Sequence, residues 1–311
     1  MIKGNPPRYA IIGGSTKSAT SSIFSYLSAH PDVCASSMKE TRFFLDKSYP
    51  VSGIYHVSQG IHLYERYFCS CINTSIRLEA TPDYLYSPST AKWLKSAIED
   101  IRIIFILRDP LDRFLSWYRF AKQNCLIANT MSVDEFIARQ QTQHGNPPQH
   151  LRALEQGRYG RYISEYLNTF HQDQILVLYY DDLVSCPLNL MKKTCRFLNI
   201  DNNIYNNYTF EVINKSLKLK NPGIYGIYKE MGKRVRRYTH DKPTLQKPLR
   251  SVRKRLDKYL LATSKSDADC EILSRDSKQR LESYYNEDTE LLSELLKDTP
   301  PWIHYSNSGH G

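Results

Sequence analysis

Residues 9–30, YAIIGGSTKSATSSIFSYLSAH, constrain the fold more than any other stretch, because they read as strand, tight loop and helix in direct succession. Tyr9-Ala10-Ile11-Ile12 is an apolar run rich in β-branched residues, and Gly13-Gly14 ends it with residues that accept almost any backbone angle. Ser15, Thr16, Ser18, Thr20, Ser21 and Ser22 gather hydroxyls around Lys17, and Ile23, Phe24, Tyr26 and Leu27 recur at helical spacing. A helix opening inside a hydroxyl cluster points free amides, the positive end of its dipole and one ammonium at a single spot, which suits a phosphate-like anion. Ser and Thr are also common helix caps, so an ordinary solvated turn stays open as the other reading of these residues. A Walker-type loop needs Gly directly before its Lys. Thr16 stands there, which points away from an ordinary nucleotide hydrolase or kinase.

A second unit repeats the plan. Ile101 to Leu107, IRIIFIL, is continuous, apolar and of the length expected at the centre of a parallel sheet. Arg108-Asp109-Pro110 stops it, and Leu111, Phe114, Leu115 and Tyr118 mark one face of a helix over 111–121, with Pro110 suited to its start. Arg108 therefore falls at the carboxyl end of a central strand, where open α/β sheets bind ligands. Ser116 lies on the helix eight residues later, within reach of the same anion if the helix folds back. Arg113 and Arg119 are expected to be solvated or to face substrate. Further strands are expected at 33–35, 75–79 and 174–180, and helices at 89–98, 132–141, 159–170, 183–198, 250–261 and 275–296. Strands alternating with helices give one doubly wound α/β domain over 1–311 with a central parallel sheet. The tail beyond Trp302 is expected to be flexible.

Charge is placed unevenly. Residues 214–258 hold 15 Lys or Arg against 3 Asp or Glu, so this segment more than accounts for the formal +10 of the whole chain. It favours an anionic partner such as an acidic glycan, anionic lipid, nucleic acid or phosphorylated cofactor, or else forms a solvated loop. No basic leader or apolar run approaches the ~18 residues of a membrane span, so a soluble cytoplasmic protein is expected. The seven cysteines, at 34, 69, 71, 125, 186, 195 and 270, lack CxxC spacing and are expected to be free structural thiols rather than metal ligands. In SMKETRFF, Glu40 lies against Phe43 and Phe44. Partial desolvation there would raise its pKa and suit it to proton abstraction, or it pairs with Lys39 or Arg42 at the surface.

Taken together, these residues resemble the PAPS-dependent sulfotransferases, in particular the branch holding heparan sulfate sulfotransferases and their bacterial relatives. GGSTKSATSS is similar to the family's 5'-phosphosulfate loop, a P-loop-like turn, with Ala19 where the family usually has Gly. IIFILRDPLDRFLSWY is similar to the 3'-phosphate motif, and KETRFF to the segment whose Glu is the catalytic base. EATPDYLYSP is similar to a turn bordering the acceptor, with Ala80 in place of a frequent Lys, and QGRYGRYISEYLNTF to the segment that helps position the nucleotide.

The resemblance implies a transferase that moves a sulfuryl group from PAPS to a hydroxyl or amine of a carbohydrate, polysaccharide or small-molecule acceptor. Lys17 would neutralise the leaving phosphate, and Ser18, Ala19, Thr20, Ser21 and Ser22 would hold the 5'-phosphate. Arg108 and Ser116 would hold the 3'-phosphate, and Tyr159 would position the nucleotide. Glu40 would be the base, with Lys39, Arg42, Thr81 and Pro82 on the acceptor side and the remaining cofactor clamp within 215–237. No metal and no nucleic-acid partner are expected. The rivals are a nucleotide kinase with a degenerate phosphate loop and a non-enzymatic polyanion-binding protein.

Overall fold

A computed structural model describes residues 7–71, 76–142, 145, 147–211, 231, 232, 235, 238, 239 and 273–305. The expected helix at 250–261, Cys270, the tail 306–311 and all but five residues of the basic segment 214–258 lie outside the described residues. The expected clamp at 215–237 falls almost wholly outside them too.

The chain starts with β1 (Arg8–Gly14), the P-loop-like turn and α1 (Thr20–Ser28), followed by the short β2 (Val33–Ala35) and one turn of helix, α2 (His62–Glu65). Then come β3 (Ile76–Ala80), α3 (Thr90–Ala97), β4 (Ile101–Leu107), α4 (Pro110–Gln123), α5 (Val133–Gln141), α6 (Tyr159–Thr169) and β5 (Ile175–Tyr179). The expected helix at 183–198 is two helices, α7 (Tyr180–Ser185) and α8 (Pro187–Leu198). Cys186, between them, is forced out of helical angles by Pro187. A long helix, α9 (Arg275–Leu296), follows.

The five strands form one parallel sheet in the order β2-β3-β1-β4-β5. Alternation along the strands sends Ile11, Ile103 and Phe105 into an aromatic core beneath α3 and α6. Ile12, Ile104 and Ile106 go into an aliphatic core beneath α1 and α8. Burial on both faces explains why IRIIFIL has no polar alternation. α9 packs on α6 and α4, and its Asp288 accepts from the backbone amides of Gly160 (2.8 Å) and Arg161 (2.9 Å) at the start of α6. Gly14 is set by close approach, since a Cβ there would stand 2.8 Å from Leu85 Cβ in the turn after β3. That contact locks the ends of β1 and β3 together, next to the loop.

One expectation is corrected here. Cys34 and Cys71 are not free thiols but form a disulfide, their Cα atoms 5.7 Å apart across 37 residues of sequence. It ties the edge strand β2 to the turn after α2, a long-range pairing that no spacing rule reveals. Closing a loop of that length is worth about 4 kcal/mol in the chain-entropy picture. Cys34→Ser is therefore expected to lower the unfolding free energy by that order, and reductant to do the same to the wild type, read from denaturant titration by tryptophan fluorescence. Among the described residues Cys69, Cys125 and Cys186 are exposed cysteines outside any disulfide and Cys195 a buried one, no acidic, His or Cys cluster suits a metal, and no helix is long and apolar enough to cross a membrane.

Candidate active site

The residues singled out from sequence collect at the carboxyl ends of the strands. Lys17 to Ser22 follow β1, Lys39 to Arg42 follow β2, Thr81 and Pro82 follow β3, and Arg108 follows β4. The loop after β1 is pinned from below. Ser15 donates from its amide (2.8 Å) and hydroxyl (3.1 Å) to the Ile106 carbonyl, and its hydroxyl meets that of Ser18 at 2.6 Å. The Thr16 hydroxyl accepts from Trp117 Nε1 (3.0 Å) and Arg113 Nη1 (3.5 Å), and the Thr16 amide donates to Tyr86 Oη (3.3 Å).

This buried platform was not legible in the sequence, and it overturns one expectation. Arg113 is not solvated: its side chain is fully buried and also donates to the Ala153 carbonyl. A signal was present in the helix pattern, since Arg113 shares the buried stripe of α4 with Phe114, Trp117, Tyr118 and Ala121. Desolvation works to lower the pKa of Arg113, but the surrounding Tyr86, Tyr159 and Tyr285 outweigh it and the net direction is upward, so the guanidinium stays charged.

Above the platform the backbone turns through left-handed angles at Lys17 (φ 68°) and Ala19 (φ 62°). This accounts for the glycine usually found at the Ala19 position of the resembled loop, because a side chain is strained there. Ala19 offers no side-chain cap to α1, so the helix opens with amides available to an anion, among the half-buried Ser21 and the buried Ser18, Thr20 and Ser22. Lys17 leans toward α4, its Nζ 4.1 Å from the centre of the Phe120 ring. Ser116 is half-buried on the same helix.

Arg108 lies over the Tyr180 ring at 4.5 Å and pairs with Asp112 at 3.2 Å, yet its Nε is buried with no hydrogen-bond partner. An unsatisfied guanidinium nitrogen at a strand end is a donor in wait for an acceptor. Tyr159 is buried and donates to the Arg108 carbonyl (2.9 Å), so it braces the backbone of Arg108 from below.

On the other side of the loop, Lys39 Nζ lies 3.2 Å from Thr20 Oγ1 and 3.5 Å from Glu40 Oε1, and Arg42 Nη2 lies 2.8 Å from Glu40 Oε2. Desolvation pushes the Glu40 carboxyl up, as its aromatic setting suggested, but Lys39 and Arg42 outweigh it. The pKa is held below the usual carboxylate range rather than raised. Burial lowers the pKa of Lys39, partly opposed by Glu40. Thr81 and Pro82 are buried, and Thr81 Oγ1 accepts from the Arg42 amide at 3.2 Å.

A parallel α/β sheet with a helix start lacking a side-chain cap, a Lys and an Arg with one unsatisfied nitrogen along its carboxyl edge is an arrangement suited to a ligand carrying anionic groups. The Sulfotransferase domain model matches residues 7–242, and the chain belongs to that family.

Over 209 residues the chain is 28% identical to bifunctional heparan sulfate N-deacetylase/N-sulfotransferase 1 of Xenopus tropicalis, covering 63% of this chain and 22% of that protein. It is 35% identical over 117 residues to the membrane-associated sulfotransferase kil1 of Dictyostelium discoideum, covering 38% of this chain and 23% of that one. The chain thus spans between a fifth and a quarter of the length of these curated relatives. The crystal structure of a sulfotransferase from Alicyclobacillus acidocaldarius superposes over 97% of this chain and 100% of its own, with a TM-score of 0.66 at 20% identity, which is a likeness of fold.

Proposed function

We propose that the protein transfers a sulfuryl group from PAPS to a hydroxyl or amine of a carbohydrate acceptor. The observation that carries this reading is Lys39, whose ammonium reaches both Thr20 at the start of α1 and the Glu40 carboxylate. The helix start and the carboxylate are thereby one side chain apart, which sets a donor held at α1 beside an acceptor held at Glu40.

In the proposed step the acceptor oxygen or nitrogen forms a bond to sulfur while the bond from sulfur to the 5'-phosphate oxygen breaks. The electron pair stays on that phosphate oxygen beside Lys17, and the acceptor proton passes to Glu40. The amides and hydroxyls of Ser18 to Ser22 hold the 5'-phosphate. Arg108, with its unsatisfied Nε, and Ser116 hold the 3'-phosphate, which ATP lacks, and Tyr159 fixes the Arg108 backbone. Lys39, Arg42, Thr81 and Pro82 shape the acceptor side. Family membership and the heparan sulfate enzymes among its relatives support a glycan acceptor.

The first test is thermal. Adenosine 3',5'-bisphosphate is expected to raise the melting temperature well above any shift from AMP, and Arg108→Ala to abolish the difference. A charge-assisted contact to phosphate is worth about 1.5–3 kcal/mol, or roughly 10- to 100-fold in affinity. Equal stabilisation by AMP, or a larger shift with ATP, would point instead to a kinase-like nucleotide site. Incubation with labelled PAPS and a panel of glycans, lipids and small alcohols then identifies the acceptor by its sulfated product.

A further inference from the structure

Glu79, on β3, is fully buried and plays no part in the transfer just described. Its Oε2 accepts from the Thr41 amide (3.3 Å), from the Thr41 hydroxyl, and from the Thr81 hydroxyl (3.2 Å). Those two hydroxyls in turn accept backbone amides, Thr81 from Arg42 (3.2 Å) and Thr41 from Phe43 (3.3 Å). Three consecutive amides directly after Glu40 therefore end, at one remove or none, on a single carboxylate oxygen. Arg42, the middle residue, sits at a left-handed φ of 56°, an angle that an L side chain avoids unless its surroundings impose it. That angle accompanies the return of its guanidinium onto the Glu40 carboxylate at 2.8 Å.

We propose that Glu79 is a positioning residue, whose carboxylate gathers the Thr41–Phe43 backbone so that Arg42 and the Glu40 base are held in their working arrangement. The inference rests on Glu40 being that base. A carboxylate suits the task because an anionic oxygen accepts several donors at once, which a neutral amide oxygen does more weakly. Glu79 Oε1 is buried without a partner, so the ionised form carries a desolvation cost that a purely structural acceptor would avoid.

Burial pushes the Glu79 carboxyl up to about 7, against the hydrogen bonds from Thr41 that lower it. The titratable groups facing it are phenols: Tyr64 on α2, Tyr67 just beyond that helix, and Tyr84 in the turn after β3. All three are raised further above neutrality by burial. Glu79 is thus the member of this group that changes charge near pH 7, and protonation there weakens the acceptor at the root of the cradle.

The test compares the wild type with Glu79→Gln and Thr41→Val, using kinetics and a carboxyl-carbon NMR titration of Glu40. Glu79→Gln is expected to lower kcat about tenfold with KM for PAPS within twofold, and to abolish a wild-type acid limb near pH 7. Glu40 is expected to titrate higher in both variants, because Arg42 is released from it. The sign is diagnostic, since merely deleting a nearby negative charge would move Glu40 lower. Thr41→Ser, which keeps the hydroxyl, should return the Glu40 titration to its wild-type position, and Thr41→Val supplies the readout if Glu79→Gln does not fold. An unmoved or lowered Glu40 titration overturns the inference. If the wild type transfers no sulfuryl group the proposed function fails, and the Glu40 titration still decides the positioning role.

Discussion

Glu40→Gln is expected to cut turnover by roughly 10²- to 10⁴-fold, the usual contribution of a positioned base, while PAPS affinity stays within about twofold. Gln matches Glu in shape but keeps a single acceptor oxygen where Glu40 offers one each to Lys39 and Arg42, so the change removes charge, basicity and one of the two contacts. Lys39 and Arg42 hold the carboxyl below its usual range, so it is ionised throughout the neutral region, which keeps it in the proton-accepting form while weakening it as a base. The same pairing fixes the sign of its effect on stability. A carboxyl with a depressed folded pKa stabilises the fold above its unfolded value of roughly 4.5, and that contribution disappears as pH falls through the folded value. An acid limb from Glu40 itself therefore lies below about pH 4.5. The Glu40 side chain is 35% exposed, so solvent screening keeps the stability term small, about 1 kcal/mol or less. Steady-state kinetics with calorimetric binding of adenosine 3',5'-bisphosphate separates the two effects, and wild-type turnover in the variant would remove Glu40 from the chemistry.

What could be read from sequence follows the range over which each signal acts. IRIIFIL names its own strand, and β4 spans Ile101–Leu107 as expected, because burial on both faces leaves an apolar run with clear ends. The expected helix at 275–296 matches α9, where apolar spacing runs from the Ser274 cap onward. The placement of Lys17–Ser22 after β1 and of Arg108 after β4 was legible because each stretch is contiguous and a parallel sheet gathers its strand ends along one edge.

What escaped depends on pairs far apart in the chain. Thr16 meets Arg113 and Trp117 across 97 and 101 positions, and Glu79 meets Thr41 across 38. No local pattern marks either pairing, and the reading of Arg113 as solvated or substrate-facing passed over the buried helical stripe on which it lies. Glu40 shows a finer limit. Its apolar neighbours were visible, but the balance between desolvation and two ion pairs depends on distances that only the folded turn supplies.

Lys17→Ala should damage both binding and chemistry, with kcat/KM lower by about 10³-fold, close to 4 kcal/mol of transition-state stabilisation. Unlike Glu40→Gln, it should also weaken PAPS binding, by about tenfold, because the ammonium meets phosphate charge already present in the ground state. The larger loss falls on the chemical step, where charge grows on the phosphate oxygen as its bond to sulfur breaks. Alanine inherits the left-handed backbone of Lys17 (φ 68°) with a similar penalty, so the variant tests the ammonium and its stem rather than the loop. Lys17→Arg restores a charge as a planar fork on a longer side chain, and should recover donor affinity before it recovers rate. Lys39 provides the control, since its ammonium lies 3.2 Å from Thr20 at the start of α1 and is paired with Glu40. If Lys39→Ala lost donor affinity and rate as Lys17→Ala is expected to, while Lys17→Ala fell less than tenfold, the leaving-group role would pass from Lys17 to Lys39.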